Sequence, residues 1–267
     1  DEEANIYWSN RLQEVGVKVI HGVPGLKVHC KLTLIERKIN RKLEYFAYVG
    51  TGNFHEETAK IYCDEGLFTF DQRITLDVVK IFEFFDQNYK QHIFNHIILS
   101  PFTTRQHFLY HINHEIKNAK RGKKAFMIIK MNSLVDQQMI ETLYEASQAG
   151  VKINLIIRGI CSLKAGVPGL SDNIEAISIV DRYLEHSRIF YFYHGGNEKI
   201  YISSADWMVR NLDRRIEVTC PIYDTEIKRE LKKMLRIQLQ DDVKARILDD
   251  TQDNKYVSNS NTIRAQE

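Results

Sequence analysis

The sequence predicts an α/β fold made of two related halves, and three observations carry that reading. Helical and extended patterns alternate along the chain, the composition is that of ordinary globular protein, and four landmarks recur in the same order in each half. The chain has 267 residues, 37 Lys+Arg against 35 Asp+Glu, and 43% hydrophobic residues. Disorder, collagen and a disulfide-stapled miniprotein are excluded, and the length suggests roughly two domains of about 100–200 residues. Charged or polar residues interrupt every apolar run before the roughly 18 residues a membrane-spanning helix needs. The chain therefore reads as soluble or at most peripheral to a membrane, with the cytoplasm as the default compartment. A net charge of +2 makes any anion site a local one. Cys30, Cys63, Cys161 and Cys220 form no Cys-x-x-Cys pair, which fits a reducing compartment and offers no zinc signature. The first residues lack the features of a signal peptide and a starting Met, as expected of a piece of a longer protein.

Each element has its own warrant. Residues 3–15 carry Ile6, Trp8, Leu12 and Val15 at helical spacing before Gly16, and an extended run starts at Val17. Residues 27–35 and 43–49 predict a β-hairpin around a charged 36–42 connection. Over 72–88, Val78, Ile81, Phe82 and Phe85 line one helix face. Residues 102–120 form a helix with Phe108, Ile112 and Ile116 on one side, and a basic turn, Lys120–Lys124, leads to a strand at 125–129. Ser133 is expected to cap the next helix, which ends at Gly150. Strands follow at 151–157, 175–180, 188–193, 198–203 and 215–220, then a helix at 224–240. Domain boundaries fall at 1–96 and 97–252, with 253–267 a loose polar tail. Trp8, Trp207 and the many Phe and Tyr residues read as core.

The internal repeat is the sharpest signal. Gly16-Val17-Lys18-Val19 is matched by Gly150-Val151-Lys152-Ile153, and His29-Cys30-Lys31 by His186-Ser187-Arg188. Gly50-Thr51-Gly52-Asn53 is matched by Ser203-Ser204-Ala205-Asp206, and Lys60-Ile61-Tyr62 by Arg215-Ile216-Glu217. The Gly-Val-Pro-Gly-Leu strings at 22–26 and 166–170 lie at unequal distances from the histidines and are set aside as coincidence.

In a strand, residues i and i+2 share a face, so each histidine is expected beside its cation. A neutral imidazole attacks phosphorus, and a neighbouring cation offsets charge on the transferring phosphoryl group. Gly50-Thr51-Gly52-Asn53 could cradle phosphate with backbone N–H groups, although a hairpin corner would look the same. Arg158 and the Arg214-Arg215 pair are candidate phosphate clamps. Asp64 and Glu217 follow the two turns, and each is expected to hold the histidine of its own half.

At these residues the chain resembles the C-terminal part of the polyphosphate kinase family of the long, phosphohistidine-forming type. The strings GVKVIHGVPGLKVHCKLTLI, YVGTGNFHEETAKIYCDEGLFTFD, LSPFTTR, GKKAFMIIKMNSLVD, INLIIRGICSL and SADWMVRNLDRRIE carry the likeness over nearly the whole chain. The resemblance implies two phospholipase D-like α/β domains, each a mixed sheet flanked by helices, the first incomplete. It implies reversible transfer of the ATP γ-phosphate to inorganic polyphosphate, with ADP as product and Mg²⁺ as cofactor. It implies His29 as the phosphorylated residue, His186 as a second essential histidine, and Tyr62, Arg158, His186 and Arg215 as nucleotide or phosphate contacts; the residue pattern itself adds Lys31 as a catalytic cation beside His29, and Arg188 and Asn53 as phosphate contacts. Asp64 and Glu217 would orient the histidines. In the mechanism this suggests, neutral His29 held by Asp64 attacks the γ-phosphorus, and protonated His186 receives the departing ADP oxygen. The family's magnesium-site arginines would lie upstream of Asp1, so a fragment without full activity is expected, as are homo-oligomers of the longer protein and possible peripheral membrane association.

Two rival classes remain open at this point. A phospholipase D-type phosphodiesterase needs an Asp five residues after each His-x-Lys, where this sequence has Glu36 and Tyr193. A non-catalytic phosphate-binding module would bind without turnover. His107, His111 and His114 share adjoining helix faces, as metal ligands could, but a solvated face is the simpler reading. Nucleic-acid binding has only Lys120–Lys124 in its favour, and no such partner is expected.

Overall fold

A computed structural model describes residues 2–258 and 262–267. Its centre is a nine-stranded mixed sheet, drawn mostly from the second half. Strand Phe126–Met131 runs parallel to Lys152–Ile157, which runs parallel to Ile174–Ile179, and on the other side it pairs antiparallel with Arg188–Phe192. Lys199–Ser203 and Arg215–Pro221 continue the sheet antiparallel. These central strands are buried on both faces, which is why they read as near-continuous apolar runs rather than alternating ones. Helices Thr104–Lys120 and Gln137–Gln148 cover one face with Phe108, Ile112, Ile116, Met139 and Leu143.

The first half contributes helix Glu2–Glu14, a three-stranded antiparallel sheet and helix Gln72–Asp86. The hairpin strands Lys31–Ile39 and Lys42–Gly50 run straight through the stretch expected to be a connection. Their turn is only Asn40-Arg41, both with positive φ, the two-residue geometry that matches strand twist. Helix Gln72–Asp86 buries Ile74, Val78, Ile81 and Phe84 in a core cluster that takes in Ala47 and Val49 of its own half and Leu99, Ile216, Val218 and Cys220 of the other. The hydrophobic core thus runs across residue 96 and joins the two halves.

Several expectations fail for local reasons. Phe82 faces outward and Phe84 inward on that helix, and Trp8 is exposed rather than core, whereas Trp207 is fully buried against Phe190. The cap of helix Gln137–Gln148 is Asp136, whose carboxylate accepts from the Met139 N–H, not Ser133. No strand forms at 17–20. The described part of 253–267 is not loose: Arg264 bridges Asp181, and Gln266 donates to Glu185 beside His186. The repeated Gly-Val-Pro-Gly-Leu strings form the same turn, with Leu26 N–H bonded to Val23 O and Leu170 N–H to Val167 O.

Candidate active site

The two halves exchange short strands, and the exchange builds the site. Lys27–Val28 pairs parallel with Arg215–Ile216 of the second half, and Leu184–Glu185 pairs parallel with Tyr62–Cys63 of the first. Each exchanged strand ends at a histidine. There the backbone breaks for two residues before the next strand starts at Lys31 or Arg188. At the break, the His29 and Cys30 N–H groups both donate to Ile216 O, at 2.9 and 3.1 Å. The His186 and Ser187 N–H groups likewise donate to Cys63 O, at 3.1 and 2.9 Å. The histidines therefore sit at bulge-like kinks, not on regular strands as expected.

This register corrects the expected carboxylate pairing. Ile216 precedes Glu217 and Cys63 precedes Asp64, so each histidine meets the carboxylate of the opposite half. His29 Nδ1 lies 2.9 Å from Glu217 Oε2, and His186 Nδ1 lies 2.7 Å from Asp64 Oδ1. The carboxylates are themselves set by matching hydroxyls. Thr51 Oγ1 donates to Asp64 at 2.7 Å and Ser204 Oγ to Glu217 at 2.5 Å, each thirteen residues upstream. The Glu65 and Val218 N–H groups return a bond to those same hydroxyls. Glu217 also accepts from Asn211 Nδ2 at 2.7 Å. Sequence reading had noted the two turns but missed the hydroxyls; their equal spacing from the carboxylates was the available signal.

Gly52 has a steric role that differs from the expected phosphate cradle. A Cβ built there would fall 2.0 Å from Asp64 Oδ2, so only glycine lets the carboxylate approach. The Thr51 N–H is spent on Glu65 O, and Asn53 is exposed at the turn's edge.

The cations clamp the kinks. Lys31 Nζ donates to His29 O at 2.5 Å, and Arg188 Nη1 to His186 O at 2.6 Å, another matched pair. Arg188 is also bound to buried Asp206, so it is not a free phosphate clamp. Arg158 donates to Glu185 O and Asn132 Oδ1, beside His186. Arg215 is half-buried, and its guanidinium has no hydrogen bond or ion pair among the described residues. Tyr62 packs its ring against His186, with centroids 5.0 Å apart.

The electrostatics separate the roles. A carboxylate that accepts every bond offered to it places the proton of each pair on the histidine Nδ1, so Nε2 is the nitrogen turned away from the carboxylate. Burial pushes the Asp64 carboxyl up, but bonds from His186 and Thr51 outweigh it and hold it below the usual range. Burial pushes His186 down, and the bond to Asp64 only partly offsets this. The downward shift favours the neutral imidazole of His186, where the sequence suggests the protonated form. Burial above all lowers the Lys31 ammonium to about 8. The Cys30 thiol, beside His29, is pushed up to about 12 by burial and Glu217, so it is no competing nucleophile. Side-chain exposure is 25% for His29 and 13% for His186, which makes His29 the more open to an incoming group.

The His107–His114 face is only partly solvated, with His107 and His114 half-buried, which departs from the simpler expectation. His111 is buried, its Nε2 3.1 Å from His107 Nε2 and 2.9 Å from Tyr201 Oη, and His114 stacks on His194. Among the described residues no group of three or more His, Cys, Asp or Glu could hold a metal ion. The Lys120–Lys124 stretch leaves 121–124 exposed in a turn.

A duplicated α/β chain that presents two imidazoles, each fixed by a carboxylate in a lysine- and arginine-bearing site, is equipped to engage phosphate groups. Residues 1–91 match the family described as polyphosphate kinase C-terminal domain 1, and residues 97–266 match polyphosphate kinase C-terminal domain 2. The chain belongs to the polyphosphate kinase family. It is 47% identical over 268 residues to the polyphosphate kinase of Escherichia coli K12, covering 100% of this chain and 39% of that protein. The Vibrio cholerae polyphosphate kinase is 50% identical over 261 residues, covering 98% and 37%. A crystal structure of polyphosphate kinase from Porphyromonas gingivalis superposes with a TM-score of 0.92 at 42% identity, covering 98% of this chain and 41% of that one. The chain thus spans about two fifths of the relatives it matches.

Proposed function

We propose that this chain carries the phosphohistidine site of a polyphosphate kinase, moving the γ-phosphate of ATP reversibly to inorganic polyphosphate through His29. The observation that supports this best is the bond from His29 Nδ1 to buried Glu217, which turns Nε2 away from the carboxylate on the more exposed of the two imidazoles.

The Nε2 lone pair forms a bond to the γ-phosphorus as the bond to the β–γ bridging oxygen breaks, and ADP leaves with that electron pair. The positive charge gained by the imidazole is shared with Glu217 through Nδ1–H. A terminal polyphosphate oxygen then attacks the phosphorus, and the N–P electron pair returns to Nε2. Lys31, Arg158, Arg188 and Arg215 supply a positive field for the phosphoryl oxygens. Neutral His186, with Nδ1–H held by Asp64, acts as a proton acceptor for a protonated phosphate end, and Tyr62 offers a ring beside it for the nucleotide. Asn53 stands at the rim as a further donor.

Mg²⁺ belongs in this reading with the nucleotide substrate. Asp64, Glu217 and Asp206 are each engaged by imidazole, hydroxyl, amide or guanidinium donors, and the residues present do not fit a resident ion.

The test uses a chimera in which residues 1–267 replace the matching segment of the E. coli relative. γ-Labelled ATP should give acid-labile, base-stable label that disappears in His29→Ala. Persistence of the label would overturn the assignment.

A further inference from the structure

Strands Lys199–Ser203 and Arg215–Pro221 deliver Ser204 and Glu217 to the histidine site. At the far end of the same strands, about 16 Å away at roughly 3.3 Å per residue, a separate cavity of about 230 Å³ opens. Asn95, His96 and Ile98, His107 of helix Thr104–Lys120 and Lys228 of helix Thr225–Leu239 help line it, and none of its lining residues is acidic. Its polar wall is formed by Asn95, His96, His107, Lys199, Tyr223 and Lys228.

No lining carboxylate pairs with the positive charge there, and the Glu198 carboxylate acts on Lys228 only at longer range. Lys199 is half-buried, and its amine has no hydrogen-bond or ion-pair partner among the described residues. Among the described residues, Lys228 Nζ donates only to the main-chain carbonyl of Glu198, at 3.1 Å. The Glu198 carboxylate is committed elsewhere: both oxygens lie 2.7 Å from Lys232 Nζ, and one accepts from Tyr191 Oη at 2.7 Å. Burial first, then the charge of Lys199, pushes the Lys228 ammonium below its usual range.

The wall is also held in place. Asp77 Oδ2 accepts the N–H groups of Asn95, His96 and Ile97 at 2.8, 2.7 and 3.0 Å, and His96 Nδ1 lies 2.7 Å from Tyr223 Oη. A rigid, partly desolvated pair of amines flanked by neutral donors, with no acid in the wall, selects a compact anion. The volume is below the roughly 300–1,000 Å³ of pockets that enclose drug-sized ligands, so a whole nucleotide is too large.

We infer that this cavity is a second phosphate site, taking a small multiply charged phosphate of pyrophosphate size, either as a free ion or as the end of a polyphosphate chain. It stands apart from the His29 chemistry, and only the polymer as a source rests on the function proposed above. An occupant would replace the mutual repulsion of Lys199 and Lys228 by attraction to both.

The experiment uses the 267-residue chain carrying His29→Ala, with its lysines dimethylated with ¹³C and titrated with pyrophosphate while NMR is recorded. Lys199→Gln and Lys228→Gln assign the two resonances. Both should shift saturably, and calorimetry should show binding weakened roughly tenfold to a hundredfold in either variant, as expected for loss of one charge-assisted bond. Lys199→Arg should retain binding. Affinity that rises with chain length from pyrophosphate to tripolyphosphate and longer polymers identifies a polymer end, and equal affinity identifies the free ion. If neither resonance shifts, or if both glutamine variants bind pyrophosphate as tightly as the His29→Ala chain that keeps both lysines, the site is refuted. Failure of the His29 labelling experiment would leave this result unaffected.

Discussion

Lys31 offers a quantitative check on the site. The residue is 7% exposed, its amine donates to His29 O at 2.5 Å, and burial above all lowers its pKa from 10.5 to about 8. Keeping it protonated at neutral pH costs the fold about 3 kcal/mol, at about 1.4 kcal/mol per pH unit of displacement. Between pH 8 and 10.5 the unfolded chain still holds this proton and the folded chain has released it, so wild-type stability rises with pH across that window. Lys31→Met keeps the straight stem and removes the charge, at a cost of about 1–3 kcal/mol for the carbonyl left without a donor. The informative quantity is the wild-type-minus-variant difference, because other titrating groups cancel. Urea unfolding at pH 7, 8, 9 and 10 should show that difference moving about 2–3 kcal/mol in favour of wild type. Parallel profiles would refute the claim that Lys31 is held as a desolvated cation. In the chimera, Lys31→Met should also abolish most transfer while folding normally, the mark of a charge kept for function at the expense of stability.

The crossed pairing predicts that Glu217→Gln removes phosphate labelling of His29, whereas Asp64→Asn leaves it measurable and slows onward transfer to polyphosphate; the reverse pattern would restore pairing within each half. Gly52→Ala must displace the Asp64 carboxylate, so a loss of about 1–3 kcal/mol by thermal or urea unfolding is expected, together with weakened transfer; wild-type behaviour would show that the contact is not needed. Glu115 is fully buried, its carboxyl raised to about 7 by burial. The folded form keeps a proton that the unfolded form loses above pH 4.5, so stability falls as pH rises to 7. Glu115→Gln, still able to accept the His194 N–H, should gain about 2–3 kcal/mol over wild type between pH 5 and 8. A constant difference in unfolding free energy would count against this.

Much of the site was legible in the sequence because duplication marks it. His29 and His186, their cations two residues on, the two small-residue turns and the two carboxylates all stand in one order, and the structure gathers them at a single place. Helix identities were legible from periodicity, as with Phe108, Ile112 and Ile116. Errors came where two local readings were equally good. Phe82 and Phe84 are both compatible with an apolar face, and only the neighbour packed against the helix chooses between them. Ser133 and Asp136 are both capping residues, and the strand's actual exit from the sheet selected Asp136.

What the sequence by itself determined is the list of chemical groups and their spacing along the chain: imidazole, cation, hydroxyl, carboxylate, twice over. The tertiary structure alone decided which carboxylate serves which imidazole. Spacing within a half reports i and i+2 neighbours, whereas Lys27–Val28 and Leu184–Glu185 leave their own halves to pair across the molecule. That exchange is fixed by backbone hydrogen bonds between segments more than a hundred residues apart, and it joins two copies of one motif into a single site.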